Sequence, residues 1–541
     1  MIINSIDIYR PDDTVENYVY EHVKNKFCLD FVDGKYIDSQ KISRILNSYF
    51  AIYEDLVNSH IMKLCSKNYL EFLLIQYEVY AEVEYEYKQH KLSVKDERFW
   101  TVDGSLSRRS IKYLIELTCS LSNEKNNIES GLSRNELEFS CGVVFAAAEE
   151  MVRTYMSSES SHSIFPENSV LTISKNKKNY MDYKTTGSFR GDFDIRKDTI
   201  AKQKIIGRSS YLTDYQSHNE ILRNNFENYL GVDYQNILSF LQGLPNICSP
   251  INKGEGVYFI DRGQLLAVMS ERFMVTVQQA TLILDGLSIK SKNLEGDYRK
   301  IYNPKQEYRL LRRTFIVYPA PEGEHVAYSK NMLSELLLHL VNGLVFKKLP
   351  LEWINKEIRK DLDLISNKAG SWFERVVEKE LNELKIKTIQ SVKKIKLKGE
   401  KALFIPQQIG EIDILGYSEI DKAIVVIECK LISHSTEPKY FRNDIDQFVG
   451  TKKSYSTKFK AKYEWVLENK DIVIEYLNER FSCEITADKV CTAMVTHNPT
   501  IASEFISEFS CVSIAKLITS YIEKESWPFS FIKINEGVEV A

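Results

Sequence analysis

Glycine and proline are scarce in this chain of 541 residues, at 22 and 12. Their scarcity disfavours a many-stranded sandwich built on tight turns and favours long helices. Cysteine is neither abundant nor grouped. Nine cysteines, an odd number, lie far apart with no C-x-x-C pair, so neither a disulfide framework nor a zinc knuckle is indicated and a reducing compartment fits. Long hydrophobic runs are missing too. The greasiest, Val143 to Ala148 and Leu336 to Val345, are too short or too polar for a bilayer, and Met1 to Asp13 carries charges where a signal peptide needs apolar residues. The expectation is a cytoplasmic protein without a membrane partner. Charge of one sign is also lacking: 71 basic and 75 acidic side chains leave a net charge of -4. That balance excludes a uniformly basic wrapper of nucleic acid while allowing a local basic surface. Finally, Gly187-Ser188-Phe189-Arg190-Gly191-Asp192 lacks the Lys-Ser/Thr of a phosphate loop, so ATP-driven translocation is not indicated.

What is present is an ordinary globular composition, 43% hydrophobic and 27% charged, long enough for about three domains. Residues 1–250 read as mainly helical, with Ile45, Leu46, Phe50, Tyr53, Leu56 and Ile61 placed at helical spacing within Ile42 to Leu74. Val79, Ala81, Val83, Tyr85 and Tyr87 alternate mainly with Glu, which suits a strand with one wet face. Ser157 to Ser210 is rich in Ser, Lys, Asn and Gly and reads as an exposed excursion or lid. Residues 251–360 form a mixed α/β segment. There, Leu265 to Phe273 and Val277 to Leu287 predict two short helices, followed by a strand at Phe315 to Tyr318 and a helix through Leu333 to Val341. The two short helices have the spacing of a helix-turn-helix, although such pairs commonly serve plain cores, which is the reading preferred. Arg309, Arg312 and Arg313 fit either contact with nucleic acid or capping of a strand. The charged stretch Trp353 to Asp363 marks the boundary of a last domain, 361–541.

The chemistry concentrates in that domain. Gly410-Glu411-Ile412-Asp413-Ile414-Leu415, a polar turn over Gly416 to Lys422, and Ala423-Ile424-Val425-Val426-Ile427-Glu428-Cys429-Lys430 predict a β-hairpin. Side chains alternate along a strand, so Val426, Glu428 and Lys430 share one face, as do Glu411 and Asp413 on the partner. The hairpin would therefore bring Asp413 towards Glu428 and Lys430. Two carboxylates supply hard oxygen ligands for Mg²⁺, with Mn²⁺ as a substitute, and the main-chain carbonyl of Cys429 is placed as a further ligand. Such an ion neutralises charge on phosphoryl oxygens and lowers the pKa of a bound water, while Lys430 can hold that water. An E-x-K by itself is most often a solvated edge pair. What argues for catalysis is its combination with the preceding Asp413 strand.

These residues resemble the PD-(D/E)XK nuclease superfamily, with Ile412-Asp413 on one strand and Glu428-Cys429-Lys430 on the next. The resemblance covers roughly residues 361–525 and implies a restriction-endonuclease-like α/β domain around a central mixed sheet. Ile412 stands where the family often has Pro. The resemblance assigns Glu374, on the helix opened by Gly370-Ser371-Trp372-Phe373, a place as catalytic residue and metal ligand, and Gln447 a catalytic place on a later helix. It further implies a helix from about Asn443, a strand at Val490 to Thr496, a helix near Ile501 to Phe509 and a strand at Cys511 to Ile514.

Two lysine clusters flank these residues. Lys393, Lys394, Lys396 and Lys398 precede the Asp413 strand; Lys452, Lys453, Lys458, Lys460 and Lys462 follow the Lys430 strand. They suit contacts to a phosphate backbone. Tyr455, Phe459, Tyr463 and Trp465, interleaved with the second cluster, fit either base stacking or core packing. The function expected is a Mg²⁺-dependent endonuclease, with DNA favoured over RNA and, by analogy with the superfamily, a role in restriction or antiviral defence. The alternatives are a ribonuclease or structure-selective repair nuclease on the same fold, and a non-catalytic nucleic-acid-binding or assembly module. Residues 1–250 would select substrate, partner or activation state, through a protein partner or a second copy of the chain.

Overall fold

The computed structural model describes residues 1–27, 31–64, 66–122, 131–175, 181–185, 195–206, 210–248, 256–320, 322–435, 437–450 and 453–534. The chain forms two compact units, one of Met1–Thr186 and Tyr215–Leu362, the other of Gly187–Asp214 and Asp363–Ala541. No helix among the described residues is long and apolar enough to cross a membrane.

The first unit is dominated by helices, including Asp13–Phe27, Ser39–Ile61, Ser66–Lys88, Ser105–Leu121 and Arg134–Glu159. The stretch Val79 to Tyr87, expected as a strand, is the end of the third of these. Leu70, Leu73, Leu74, Tyr77, Tyr80 and Val83 are buried at three- and four-residue spacing, whereas Tyr85 is exposed. A helical stripe running in from Leu70 thus overrides the short alternation. Of Ser157 to Ser210, expected as an exposed excursion or lid, residues 176–180, 186–194 and 207–209 lie outside the described residues, and the rest carries regular elements. Strand Ser169–Ile173 pairs antiparallel with Gly34–Tyr36 and Met181–Thr185, because Leu171 and Ile173 point into the core at period two. Residues 251–360 do not stand apart either. Val257, Ile289, Leu310, Ile316, Ala327 and Met332 belong to the same apolar cluster as Tyr49, Leu73 and Ile115. The two short helices are Arg262–Phe273 and Val277–Gly286, and Leu265, Met269, Ile283 and Leu284 turn inward from them.

Arg313 has a structural place. It is 1% exposed and forks onto Glu352, with Nη1 to Oε1 at 3.0 Å and Nη2 to Oε2 at 2.7 Å, while donating to the carbonyls of Asp285 and Glu307. Replacing it with Leu is expected to destabilise the first unit by about 3 kcal/mol or more, since a carboxylate and carbonyls lose their donors. A urea midpoint unchanged from wild type would contradict this.

His339, on helix Lys330–Gly343, also reports on this unit. Burial, then Arg312 and Lys348, lower its pKa to about 4 from the 6.5 of a free imidazole. Below pH 6.5 the unfolded chain binds a proton that the folded chain refuses. The stability associated with the neutral ring is therefore complete above pH 6.5 and is lost as pH falls towards 4. His339→Gln should show a shallower fall in denaturation midpoint across that window than wild type; identical slopes would refute the assignment.

The second unit is a three-layer α/β/α domain. Its main elements are α1 (Ile195–Ile206), α2 (Lys356–Glu383, from Asp363 onward), β1 (Ile386–Val392), β2 (Ile412–Ser418), β3 (Ala423–Lys430), α3 (Pro438–Phe448), α4 (Tyr455–Glu468), α5 (Lys470–Phe481), β4 (Lys489–Thr496), β5 (Ser510–Ser513), α6 (Ile514–Lys524) and β6 (Phe531–Lys533), with a separate two-stranded ladder of Lys394–Ile395 and Leu403–Phe404 between β1 and β2. The sheet order is β1-β2-β3-β4-β5, with β6 also on β4. β1, β2 and β3 form an antiparallel meander; β3 and β4 run parallel, which requires the long crossover through α3, α4 and α5.

Both faces of the sheet are covered, which is why β2, β3 and β4 read as nearly continuous apolar runs. Leu415, Tyr417, Ile424, Val426 and Met494 pack with Phe459, Tyr463, Val466 and Leu477. Ile414, Val425, Ile427, Ala493 and Val495 pack on the other side with Phe373, Val377, Leu381, Leu517 and Ile518. The expected turn starts too early: β2 continues through Gly416 to Ser418, and the turn is Glu419 to Lys422. Gly416 pairs with both neighbouring strands, and the position calls for glycine because a Cβ there would lie 2.5 Å from the Lys387 carbonyl oxygen. Other limits shift as well. The boundary expected at 361 falls within α2, α3 starts at Pro438 with proline in its first turn, Ile501–Phe505 is a single 3₁₀ segment, and Ile514 opens α6 rather than closing a strand.

Candidate active site at the end of the central strands

The last cross-strand pair between β2 and β3 is Ile414 with Ile427. Beyond it the two strands stop exchanging main-chain hydrogen bonds, while β3 stays paired with β4 as far as Lys430 and Thr496. Asp413 and Glu428 sit at this parting, 7% and 3% exposed. The Cys429 N–H, left without a β2 carbonyl, donates to Asp413 Oδ2 at 2.8 Å. In an extended strand a residue's N–H and C=O point to the same side, so the Cys429 carbonyl also faces the Asp413 side.

Lys430 Nζ donates to Glu428 Oε1 at 2.6 Å, lies 5.0 Å from the centre of the Tyr455 ring, and keeps 23% of its side chain exposed. Lys462, on α4, completes the group. Its Nζ donates to Asp413 Oδ1 at 3.2 Å and to Glu428 Oε2. Every carboxylate oxygen of Asp413 and Glu428 therefore meets a donor.

The electrostatics follow from this packing. Burial, then the nearby Glu428, raise the Asp413 pKa, against the pull of Lys462 and Lys430. For Lys430, burial works against the ammonium, but Glu428 and Asp413 outweigh it and the pKa ends above that of a free lysine.

The other expected site residues are placed as follows. Glu374 lies half-buried on α2, with Ser391 Oγ 3.5 Å from its Oε2. Burial, then Asp413, push its pKa up to about 7. It is close enough to feel the cluster but is not gathered into a three-carboxylate group with Asp413 and Glu428. Among the described residues, no three or more His, Cys, Asp or Glu side chains are arranged to hold an ion between them. Gln447 is exposed on α3 and takes no part in the contacts that tie the cluster together.

Of the lysines, Lys394, Lys396, Lys398, Lys453 and Lys458 are exposed. Lys393 and Lys460 pair with Glu411 and Glu508 at 3.1 and 2.7 Å, and Lys452 lies outside the described residues. Lys462 is the correction. Grouped with the phosphate-contacting lysines on sequence, it is 6% exposed and the only lysine among the described residues that the fold buries. The signal was its position on the stripe Phe459, Lys462, Tyr463, Val466, where a charged residue on an apolar helix face needs a buried partner. Phe459, Tyr463 and Trp465 are core, whereas Tyr455 faces Lys430.

Chemically, the parting of β2 and β3 offers two carboxylates and a main-chain carbonyl edge, all hard oxygen donors, next to a part-exposed ammonium. No protein-family model, curated protein or solved structure matches this chain.

Proposed function

We propose that the second unit is a metal-dependent nuclease of the PD-(D/E)XK kind, hydrolysing phosphodiester bonds, with DNA as the first substrate to test and restriction or defence against foreign DNA as its setting. The observation that carries the reading is the meeting of Asp413, Glu428 and Lys430 where an antiparallel meander hands over to a parallel strand. The helix before the meander, α2, brings Glu374 within electrostatic reach of the same point.

The residues fit a small hard cation. A positive group, the Lys462 ammonium, already lies against both carboxylates, so the gap between them accepts a cation, and Asp413, Glu428 and the Cys429 carbonyl would hold Mg²⁺ there. Bound Mg²⁺ supplies Lewis-acid polarisation of a phosphoryl oxygen and acidifies a coordinated water. The chain's own groups do the rest. Lys430, held by Glu428 and part-exposed, donates hydrogen bonds to the attacking water or to the phosphoryl oxygen that gains charge. Glu374 stands by as a carboxyl whose protonation changes near neutrality. The exposed Lys394, Lys396, Lys398, Lys453 and Lys458 carry charge for a phosphate backbone.

The test is cleavage of linear, circular and single-stranded DNA and of RNA, in Mg²⁺, Mn²⁺ or EDTA, by wild type, Lys430→Ala and Asp413→Ala. Metal-dependent cutting lost in both variants is the expected result, and cutting that survives both would remove the site. Preference for RNA or for branched DNA would select the ribonuclease or repair alternative. A second reading is favoured by one observation, that Lys430, Lys462 and the Cys429 N–H between them occupy every oxygen of both carboxylates: a module that binds nucleic acid without cutting it. Tight binding with no cleavage under any metal would select it.

A further inference from the structure

Lys462 has two properties that a surface lysine lacks. It is buried, and its single ammonium contacts one oxygen of each carboxylate, Asp413 Oδ1 and Glu428 Oε2. The remaining oxygens are held from elsewhere, Oδ2 by the Cys429 N–H and Oε1 by Lys430. Oδ1 and Oε2 are therefore the oxygens that Lys462 withholds from any cation the two residues would hold between them. An ammonium and a divalent ion cannot share them, because two cations at contact distance in a buried site repel strongly. Two contiguous buried carboxylates with no cation would repel one another just as strongly.

We infer that Lys462 is a built-in counter-cation, which holds Asp413 and Glu428 together before a divalent ion arrives and is displaced from Oδ1 and Oε2 when the ion binds. Lys462 is thus a positioning residue that sets metal affinity. The inference rests on the metal-dependent reading above. The helical backbone of α4 is anchored on either side of Lys462 by the buried Phe459, Tyr463 and Val466, so displacement is a swing of the four-carbon side chain and not a movement of the helix.

The test is a Mn²⁺ titration of the full chain by calorimetry, with thermal unfolding in EDTA and in excess Mg²⁺, for wild type, Lys462→Met, Lys462→Gln and Lys462→Arg. The Met and Gln variants should bind Mn²⁺ at least about tenfold more tightly than wild type, since a competing charge has gone. In EDTA they should unfold at lower temperature, and Mg²⁺ should restore them. Arg, which keeps the charge, should follow wild type. The Gln variant keeps a hydrogen-bonding side chain and so reports even where Met does not fold. Mn²⁺ affinity unchanged or weakened in both neutral variants, with wild type binding the ion, overturns the displacement and leaves the metal site intact. No ion bound by any of the proteins overturns the metal-dependent reading itself, and the displacement with it.

Discussion

Lys430→Ala should lower Mg²⁺-dependent cleavage by about 10²–10⁴-fold while leaving the fold almost as stable as before. The range is that of removing one group that orients a nucleophile or steadies developing charge in a transition state. Stability is spared because Glu428 keeps Lys462 on its other oxygen and because the Lys430 side chain is part-exposed, so no buried charge is orphaned. The measurement is initial cleavage rate against thermal midpoint on the same preparation. A variant that cuts within threefold of wild type would rule Lys430 out as a catalytic group. A variant that unfolds in parallel with its loss of activity would make the residue structural.

The opposite pattern is expected of Glu428→Ala. Glu428 receives both Lys430 and Lys462. Its removal leaves the Lys462 ammonium buried with Asp413 as its remaining carboxylate contact, and the loss should be about 3–5 kcal/mol, the range for breaking a buried ion pair by deleting one partner. Chemical denaturation in EDTA checks this. A loss below about 1 kcal/mol would mean that water reaches the site freely, contrary to its 3% exposure. The contrast between the two neighbours, one sparing the fold and the other breaking it, separates a group kept for chemistry from a group that organises its surroundings.

Sequence showed the hairpin of the candidate site because its signal is local. β2 and β3 are short apolar runs, alternation places Asp413 and Glu428 on one face, and a polar turn joins the runs within a few residues. What was not legible depends on distant packing. Lys462 reads like its exposed neighbour Lys458 until the sheet is laid against α4 and the stripe from Phe459 to Val466 turns out to be the buried face. The alternation at Val79 to Tyr87 is genuine, yet the longer stripe beginning at Leu70 decides it. Residues 251–360 look independent because nothing in their own pattern announces that Val257, Ile316 and Met332 complete a core built by helices two hundred residues earlier. Glu374 was placed by resemblance and not by its local pattern. Its half-buried position next to the cluster depends on how α2 lies across the sheet.

The order in which the chain visits the two units has a consequence for its covalent integrity. It leaves the first unit after Thr186, returns at Tyr215 and leaves again after Leu362, so the backbone crosses between them three times. One proteolytic cut in any crossing cannot set a unit free, because each remaining fragment is still interwoven with the core it helped to build. The nicked protein should migrate as one species until denatured. A fragment starting at Asp363 would be an incomplete body for the same reason. It would lack α1, whose Asp198 meets Ser513 at the cap of α6 and whose Lys202 donates to the His497 carbonyl at 3.2 Å. His497 in turn gives its N–H to the Lys430 carbonyl at 3.1 Å, so a segment from the first half of the gene is two hydrogen bonds from the residue proposed to hold the attacking water.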